Sequence, residues 1–403
     1  MTTPVPTPAP PINTDFYDIA SELTPAEQVI IAQWREFLQR EVAPIANAQW
    51  ERGEFPLQLI PKIGAQVRDT IAQGHTHYPI MSPLLSGMLS MEIARVDASV
   101  CSFMGVHRRL CMQSIWLYGS QEQKDRWLPP MLRFEEIGSW VVTEPLVGSA
   151  AARGLLTTAT PDGTDGAGGW VLNGQKKWSG NASFAAVNCI WARRTDTGQV
   201  NGFLVERGMP GYRVEPVTGK ISKRAVDNVL ITLTDCHVPE ANRLAHADSF
   251  RAVAEQLNNA RSDVAWEALG ISMGAYENAL AYANQRIQFD KPISAFQLSQ
   301  EKLVKMLCNV TAMQGMLLQL AKLAAREGGV SAERASLAKF FCTEKMRETV
   351  ALARELLGGN GILLEHNVAR FFADAEAVYS YEGSRDMQVL IVGKAITGHS
   401  AFI

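Results

Sequence analysis

The stretch YSYEGSRDMQ near the end of the chain carries a lone carboxylate, Glu382, between Tyr381 and Gly383 and behind the glycine-rich ELLGGNGI. By residue type alone, a glutamate before a glycine is a solvated turn residue. A carboxylate shut away from water in such apolar surroundings can instead act as a general base. Other chemistries fail on spacing. Six cysteines, Cys101, Cys111, Cys189, Cys236, Cys308 and Cys342, form no CxxC pair, which argues for free, mostly buried thiols and against zinc or a disulfide framework. His75 and His77 form an HxH pair with no further ligand cluster, so no metal site is expected. GWVLNGQK has Gln175 where a phosphate-binding loop needs lysine, and GTDGAGG does not follow the GxGxxG order. The latter reads as a hairpin loop. No GxSxG elbow occurs.

The elements that must position Glu382 fall into three blocks, behind a proline-rich tail over residues 1–20 that is expected to be disordered. Residues 21–137 read as helical. PAEQVIIAQWREFLQREV places Val29, Trp34, Phe37, Leu38 and Val42 near one face, with Thr24 as the helix start. PLLSGMLSMEIARVD is another helix, and SQEQKDRWLPPML a third that should end at its prolines. Residues 138–248 hold short apolar or alternating runs rich in Val, Ile, Trp and Thr, separated by Gly, Asn, Asp and Pro: an antiparallel, barrel-like β domain. From 249 to 403 the pattern is helical again. Val253, Leu257, Ala260, Val264, Ala268, Ile271, Ala275, Ala279 and Tyr282 trace one long stripe, three more helices follow, and Gly358 and Gly359 stop the third of the four. A four-helix bundle is expected. The fold class is thus mainly α with a central β domain.

The 403 residues are 47% hydrophobic and 20% charged, with a net charge of -3. This gives no reason to expect a nucleic-acid partner. No charge-free apolar run is long enough to span a membrane, and the N-terminus lacks the regions of a signal peptide, so a cytoplasmic protein is expected.

VVTEPLVGS, WVLNGQKKWSGN, RIQFDKPISAFQLSQEKLVKM, ELLGGNGI and YEGSRDMQ, in this order, resemble the signature stretches of the acyl-CoA dehydrogenase family. The resemblance runs from about Glu22 to the C-terminus and is strongest toward glutaryl-CoA dehydrogenases and plant short-chain acyl-CoA oxidases. It implies non-covalent FAD, an acyl-CoA substrate oxidised to trans-2-enoyl-CoA, and a homotetramer. It also implies an electron-transfer flavoprotein or oxygen as acceptor. The base is implied to be Glu382, assisted by its own backbone N–H at the thioester oxygen. Members with the base on the long helix carry it at the position of Ala260, which cannot serve.

For the cofactor, the resemblance points to Trp140, Val142 and Thr143 along the flavin ring, to Ser149 between FAD and the pantetheine arm, and to Trp178 and Gly180 at the isoalloxazine. Arg286, Gln288, Phe289 and Phe296, with Glu355 and Gly359, would serve the FAD of a neighbouring subunit, and Ser384 and Asp386 bind cofactor after the base. Ser149, Cys101, Asn258, Arg261 and Gly383 are the implied substrate contacts.

Several positions depart from the pattern. Cys101 replaces the arginine, and Ala94 the acidic residue, of glutaryl-CoA dehydrogenases, while Arg108 and Arg109 are out of register. A short, uncharged acyl-CoA is therefore expected. Asp290 replaces a glycine beside the expected pyrophosphate contact, Ala150 replaces an aspartate, and Ser179 an apolar residue. Three readings stay open: a dehydrogenase, an oxidase, and a weakly active homologue that binds acyl-CoA or acyl groups on a carrier protein.

Overall fold

The structure, a computed structural model, describes residues 13–72, 81–163 and 168–401. Helix α1 (Pro25–Phe37) starts at Thr24, whose side chain caps the Glu27 N–H while Glu27 reaches back. Trp34, Phe37, Leu38 and Val42 are buried, but Val29 is exposed and Ile30 and Ile31 face inward instead. Ile30 lies one turn before Trp34, so the ordinary helical repeat turns Val29 outward, and a π-helical segment at Leu38–Val42 then joins α1 to its continuation α2 (Ala43–Arg52). The expected tail is shorter than residues 1–20: Asp15 caps Ile19 and Ala20, and Thr14 donates to Glu277.

Helices α3 (Leu59–Ala72), α4 (Pro83–Val96) and α5 (Ala98–Met104) lead into a second π-helical segment, Gly105–Met112, then α6 (Gln113–Tyr118) and α7 (Gln121–Leu132). Helix α7 does not end at its prolines. It runs through Pro129 and Pro130 because Trp127 and Met131 are buried and hold the last turn. His75 and His77 lie outside the described residues, and among those described no cluster of three or more His, Cys, Asp or Glu could hold a metal.

The β domain comprises β1 (Gly138–Val141), the short helix α8 (Ala151–Gly154), β2 (Thr158–Asp162), β3 (Gly169–Gly180), β4 (Val187–Arg194), β5 (Val200–Glu206), β6 (Tyr212–Pro216) and β7 (Asn228–Val238). These form one seven-stranded sheet, order β1-β4-β2-β3-β7-β6, with β5 on β4. It is not wholly antiparallel: β1 and β2 both pair with β4 in parallel. The glycine-rich stretch lies in the β2–β3 hairpin, closed by Asp162 against Gly169, although its tip lies outside the described residues.

Helix α9 (Phe250–Gln285) carries the long stripe inward. A tight hairpin of β8 (Ile287–Gln288) and β9 (Lys291–Pro292) joins it to α10 (Gln297–Glu327) and α11 (Ala332–Leu356). The sequence reading missed α12 (Val368–Ser380), so five helices rather than four follow the sheet, the last being α13 (Arg385–Thr397). Of α12, Val368, Phe371, Ala375 and Val378 enter the core. Helix α10 is long and apolar enough to cross a membrane by length and composition, but Leu303, Met306, Val310, Met313 and Leu317 are buried in the protein core. One core runs through α1, α4, α5 and α9–α12, a second seals the sheet against α6, α7 and the start of α9, and a third lies within the sheet. Helix α4 crosses α9 closely: a side chain at Gly270 would overlap the Met91 carbonyl.

Candidate active site

Glu382 sits in the four-residue break between α12 and α13 with φ of 52°, the left-handed region that a glutamate rarely adopts. The turn is fixed on both sides. Lys339 of α11, buried, donates from Nζ to the carbonyls of Tyr381 and Gly383. Gln388, also buried, donates to the Gly383 carbonyl at 2.8 Å, and Ser384 caps Met387. The Glu382 carboxylate has one oxygen, Oε2, buried and without a hydrogen-bond partner. Burial raises its pKa well above the usual carboxylate range, with Lys339 pulling the other way and Glu267 adding to the rise. Burial likewise lowers the pKa of Lys339.

Two ion pairs lie near this turn, Lys223–Glu267 and Arg109–Asp263. Lys223, from the β6–β7 connection, meets Glu267 of α9, and both are buried. Its Nζ also reaches the Ala98 carbonyl at 2.9 Å, Ser102 Oγ at 2.7 Å and Tyr381 Oη at 3.3 Å, while the Tyr381 hydroxyl donates to Glu267. Arg109 is out of register in sequence, but the π-helical segment brings it within the electrostatic reach of both Cys101 and Glu382. There it pairs with Asp263 of α9 and donates to the Ser86 carbonyl at 2.8 Å. The Cys101 thiol is buried, its pKa pushed up by desolvation, and it touches the Ser90 carbonyl at 3.6 Å. Arg261 faces Glu382 electrostatically, and its buried Nε has no partner. Asn258 is spent on the Val330 carbonyl at 2.8 Å. Ala260 is buried, and no acidic side chain stands at its position.

The sheet side carries a second wall, formed by others of the expected site residues. Trp178 lies at a bulge in β3 with φ of 75° and remains 51% exposed, a large flat indole presented to solvent. Thr143 is half-buried, and its carbonyl accepts the Lys177 N–H at 2.8 Å. Behind it, buried Lys176 pairs with Glu144 at 2.9 Å, and Glu144 also accepts the N–H groups of Leu156 and Thr157. This anchor holds the loop bearing Thr143 and exposed Ser149. Lys176 also takes the Val142 carbonyl at 3.0 Å. Trp140 is buried, and its Nε1 donates to Ser114 Oγ at 3.1 Å. Gly180 stands against Val106, where an added Cβ would come within 3.2 Å of Cγ2. His107 joins this wall to the helices. Its Nδ1 accepts the Gly138 N–H and its Nε2 donates to the Met131 carbonyl, so it is neutral, and burial holds its pKa down at about 3.

The remaining sequence-derived residues gather elsewhere. Arg286 closes α9, 25 residues beyond Arg261, or about 37 Å along the helix at about 1.5 Å per residue. Phe289 and Asp290, with φ of 51° and 63°, form the turn of the β8–β9 hairpin, and Phe289 packs edge-on against Phe296. Glu355 pairs with Lys302 at 3.3 Å, and Gly359, Gln288 and Arg286 are all exposed. One chain therefore presents two separate surfaces. Ser384 caps α13, and Asp386 is exposed in its first turn.

The chain matches the N-terminal domain of acyl-CoA dehydrogenases over residues 24–135, the middle domain over 139–236 and the C-terminal domain over 249–397. It is 32% identical over 378 residues to an acyl-CoA dehydrogenase of Bacillus subtilis, covering 92% of this chain and 98% of that protein. The chain belongs to the acyl-CoA dehydrogenase family. Among solved structures, a glutaryl-CoA dehydrogenase of Mycobacterium smegmatis in complex with FADH2 superimposes with a TM-score of 0.90 at 33% identity, over 97% of this chain and 99% of that one. Butyryl-CoA dehydrogenase of Megasphaera elsdenii gives 0.86 at 26% identity, over 93% and 98%.

In this acyl-CoA dehydrogenase family member, sequence reasoning missed the residues that hold the site: Lys339, the Lys223–Glu267 pair and the Lys176–Glu144 pair. Three of these five carried a signal. Glu267 lies three residues after Val264 and four before Ile271, on the buried stripe of α9. Lys339 lies four after Ala335, on the buried face of α11. Lys176 continues the inward register of Trp170 and Leu172 along β3. A charged residue at a core position requires a partner.

Proposed function

We propose that the chain is an FAD-dependent acyl-CoA dehydrogenase acting on a short, uncharged acyl-CoA, with Glu382 as the base. The observation that carries this reading is the Glu382 carboxylate itself: left-handed, pinned from two sides, and with one buried oxygen lacking any partner. An α-C–H is a weak acid, so a carboxylate of ordinary pKa, about 4.3, would be a poor base for it. Desolvation raises Glu382 toward the working pH. Glu382 takes the α-proton onto its carboxylate, and the electron pair left on carbon moves toward the thioester carbonyl and then into the new Cα–Cβ double bond.

The residues present fit a flavin. Trp178 offers an exposed ring face, Thr143 sits on a braced loop, and Gly180 keeps the wall low beside Val106. These residues would hold the isoalloxazine, and when bound it supplies the acceptor for the β-hydrogen. Arg286, Gln288, Phe289, Phe296, Glu355 and Gly359 belong to the second surface and would grip the FAD of a neighbouring subunit in a homotetramer. The family resemblance makes an electron-transfer flavoprotein the expected acceptor, with oxygen the alternative.

The substrate reading is supported by the charges near Cys101. Arg109 spans from the π-helical segment to α4 and α9, with its charge already paired to Asp263. The second cation near Cys101, Lys223, is paired with Glu267. A distal carboxylate would find no unspent cation beside Cys101, and burying it unpaired is costly. Each further methylene is worth only about 1 kcal/mol in such a pocket. The test is the purified protein's flavin spectrum, followed by turnover on butyryl-, hexanoyl-, palmitoyl- and glutaryl-CoA with an artificial electron acceptor. A yellow protein preferring chains of about four to six carbons supports the reading. A colourless protein, or a preference for palmitoyl- or glutaryl-CoA, overturns it.

A further inference from the structure

We infer that Lys339 is a positioning residue for the base: one buried ammonium ties the two peptide carbonyls flanking Glu382 and so holds the carboxylate in its left-handed turn. This rests on the assignment of Glu382 as the base. Lys339 is 1% exposed and stands on the inward face of α11, and it makes no ion pair among the described residues. Its Nζ is spent on the Tyr381 and Gly383 carbonyls, one on each side of the base. A buried ammonium with two neutral acceptors is costly unless a nearby anion repays it. The nearby anions are Glu382 and Glu267.

A left-handed glutamate costs about 1–2 kcal/mol relative to ordinary backbone, so the turn needs an external hold. Gln388 donates to the carbonyls of Gly383 at 2.8 Å and Ser384 at 3.4 Å, both on the C-terminal side of Glu382, which leaves Lys339 as the side chain bridging both flanks. The groups facing Glu382 come from several elements: Lys339 from α11, Glu267 and Arg261 from α9, Lys223 from the β6–β7 connection, Arg109 from the π-helical segment and Tyr381 from its own turn. Lys339 is the largest favourable electrostatic contributor to the ionised base among them. The same ammonium therefore has two effects on Glu382, shaping its backbone and favouring its charged, proton-accepting form.

The experiment compares the flavin-loaded wild type with Lys339→Met, Lys339→Gln and Lys339→Arg. One measurement is the pH profile of kcat/KM on butyryl-CoA, and the other is amide hydrogen exchange across 380–385. In the Met variant the acid limb should move up by about one pH unit, a tenfold change in the ionisation constant, and exchange in the turn should accelerate. The Gln variant, which keeps donors without charge, should move the limb with less effect on exchange. The Arg variant should leave the limb nearest the wild type. Should the Met variant fail to fold, the Gln and Arg profiles decide. A uniform loss of rate with the limb unmoved, or exchange unchanged in the Met variant, overturns the inference. A wild type that turns over no acyl-CoA overturns the proposed function instead, and the exchange measurement still tests the clamp.

Discussion

Lys223→Met removes one partner of a pair that is buried on both sides, with Lys223 4% and Glu267 5% exposed. The lysine gives up Glu267, Ser102, the Ala98 carbonyl and the Tyr381 hydroxyl together. Glu267 keeps only the Tyr381 hydroxyl as a donor. Stranding a buried charge in this way costs about 3–5 kcal/mol. With a urea dependence of about 3 kcal/mol per molar, the midpoint should fall by about 1 M or more. Removing both charges, as in Lys223→Met with Glu267→Met, should recover most of the loss. A residue of about 1–3 kcal/mol should remain for the Tyr381 hydroxyl left without an acceptor. The assay is equilibrium urea unfolding of wild type, both single variants and the double variant, read as a double-mutant cycle. A single variant within about 0.5 kcal/mol of wild type, or a double variant costing the sum of the singles, refutes the reasoning that this pair is a buried unit under the base.

Burial raises the Glu382 pKa, and the base must be ionised, so kcat/KM should fall as pH drops through that raised value, well above the ordinary carboxylate range. An acid limb at or below the usual glutamate value would contradict the desolvated setting. Asp290→Gly removes a negative charge and a left-handed non-glycine residue from the exposed β8–β9 turn. If that surface serves a neighbour's FAD, the variant should retain flavin better on dilution and stay tetrameric to lower concentration. Equal flavin loss, followed by ultrafiltration and sedimentation, would count against a role for this surface.

Much of the fold was legible because its signals are local. The capping pair Thr24 and Glu27, the stripe of α9 and the alternation in β3 each state their element in adjacent residues. Helix α12, VARFFADAEAVYS, was not read, although Val368, Phe371, Ala375 and Val378 recur at spacings of three and four on its buried face. Val29 was misplaced because it lies five residues before Trp34, whereas Ile30 and Ile31 stand at the four- and three-residue spacings that share its face. Arg109 was set aside because it does not stand at the position of the arginine that Cys101 replaces, whereas the structure brings it, from the Gly105–Met112 segment, within electrostatic reach of the base. Parallel pairing of β1 and β2 with β4 could not be read from strand composition, since it depends on how distant strands return. At the site, Glu382 stood out through its motif. The ion partners of its surroundings come from loops and helices far apart in sequence, and Lys223 in particular sits in a loop with no periodicity to mark it as buried.

The most direct measurement of the central claim is single-turnover reduction of the bound flavin by butyryl-CoA in wild type and in Glu382→Gln, with acyl-CoA binding measured in parallel. The substitution keeps the shape of the side chain and removes its ability to take a proton. The reduction rate should fall by a factor of about 10²–10⁴ or more while the affinity for acyl-CoA stays within a few-fold. Reduction at a near wild-type rate in the Gln variant would show that another group takes the α-proton and would contradict the assignment of Glu382 as the base.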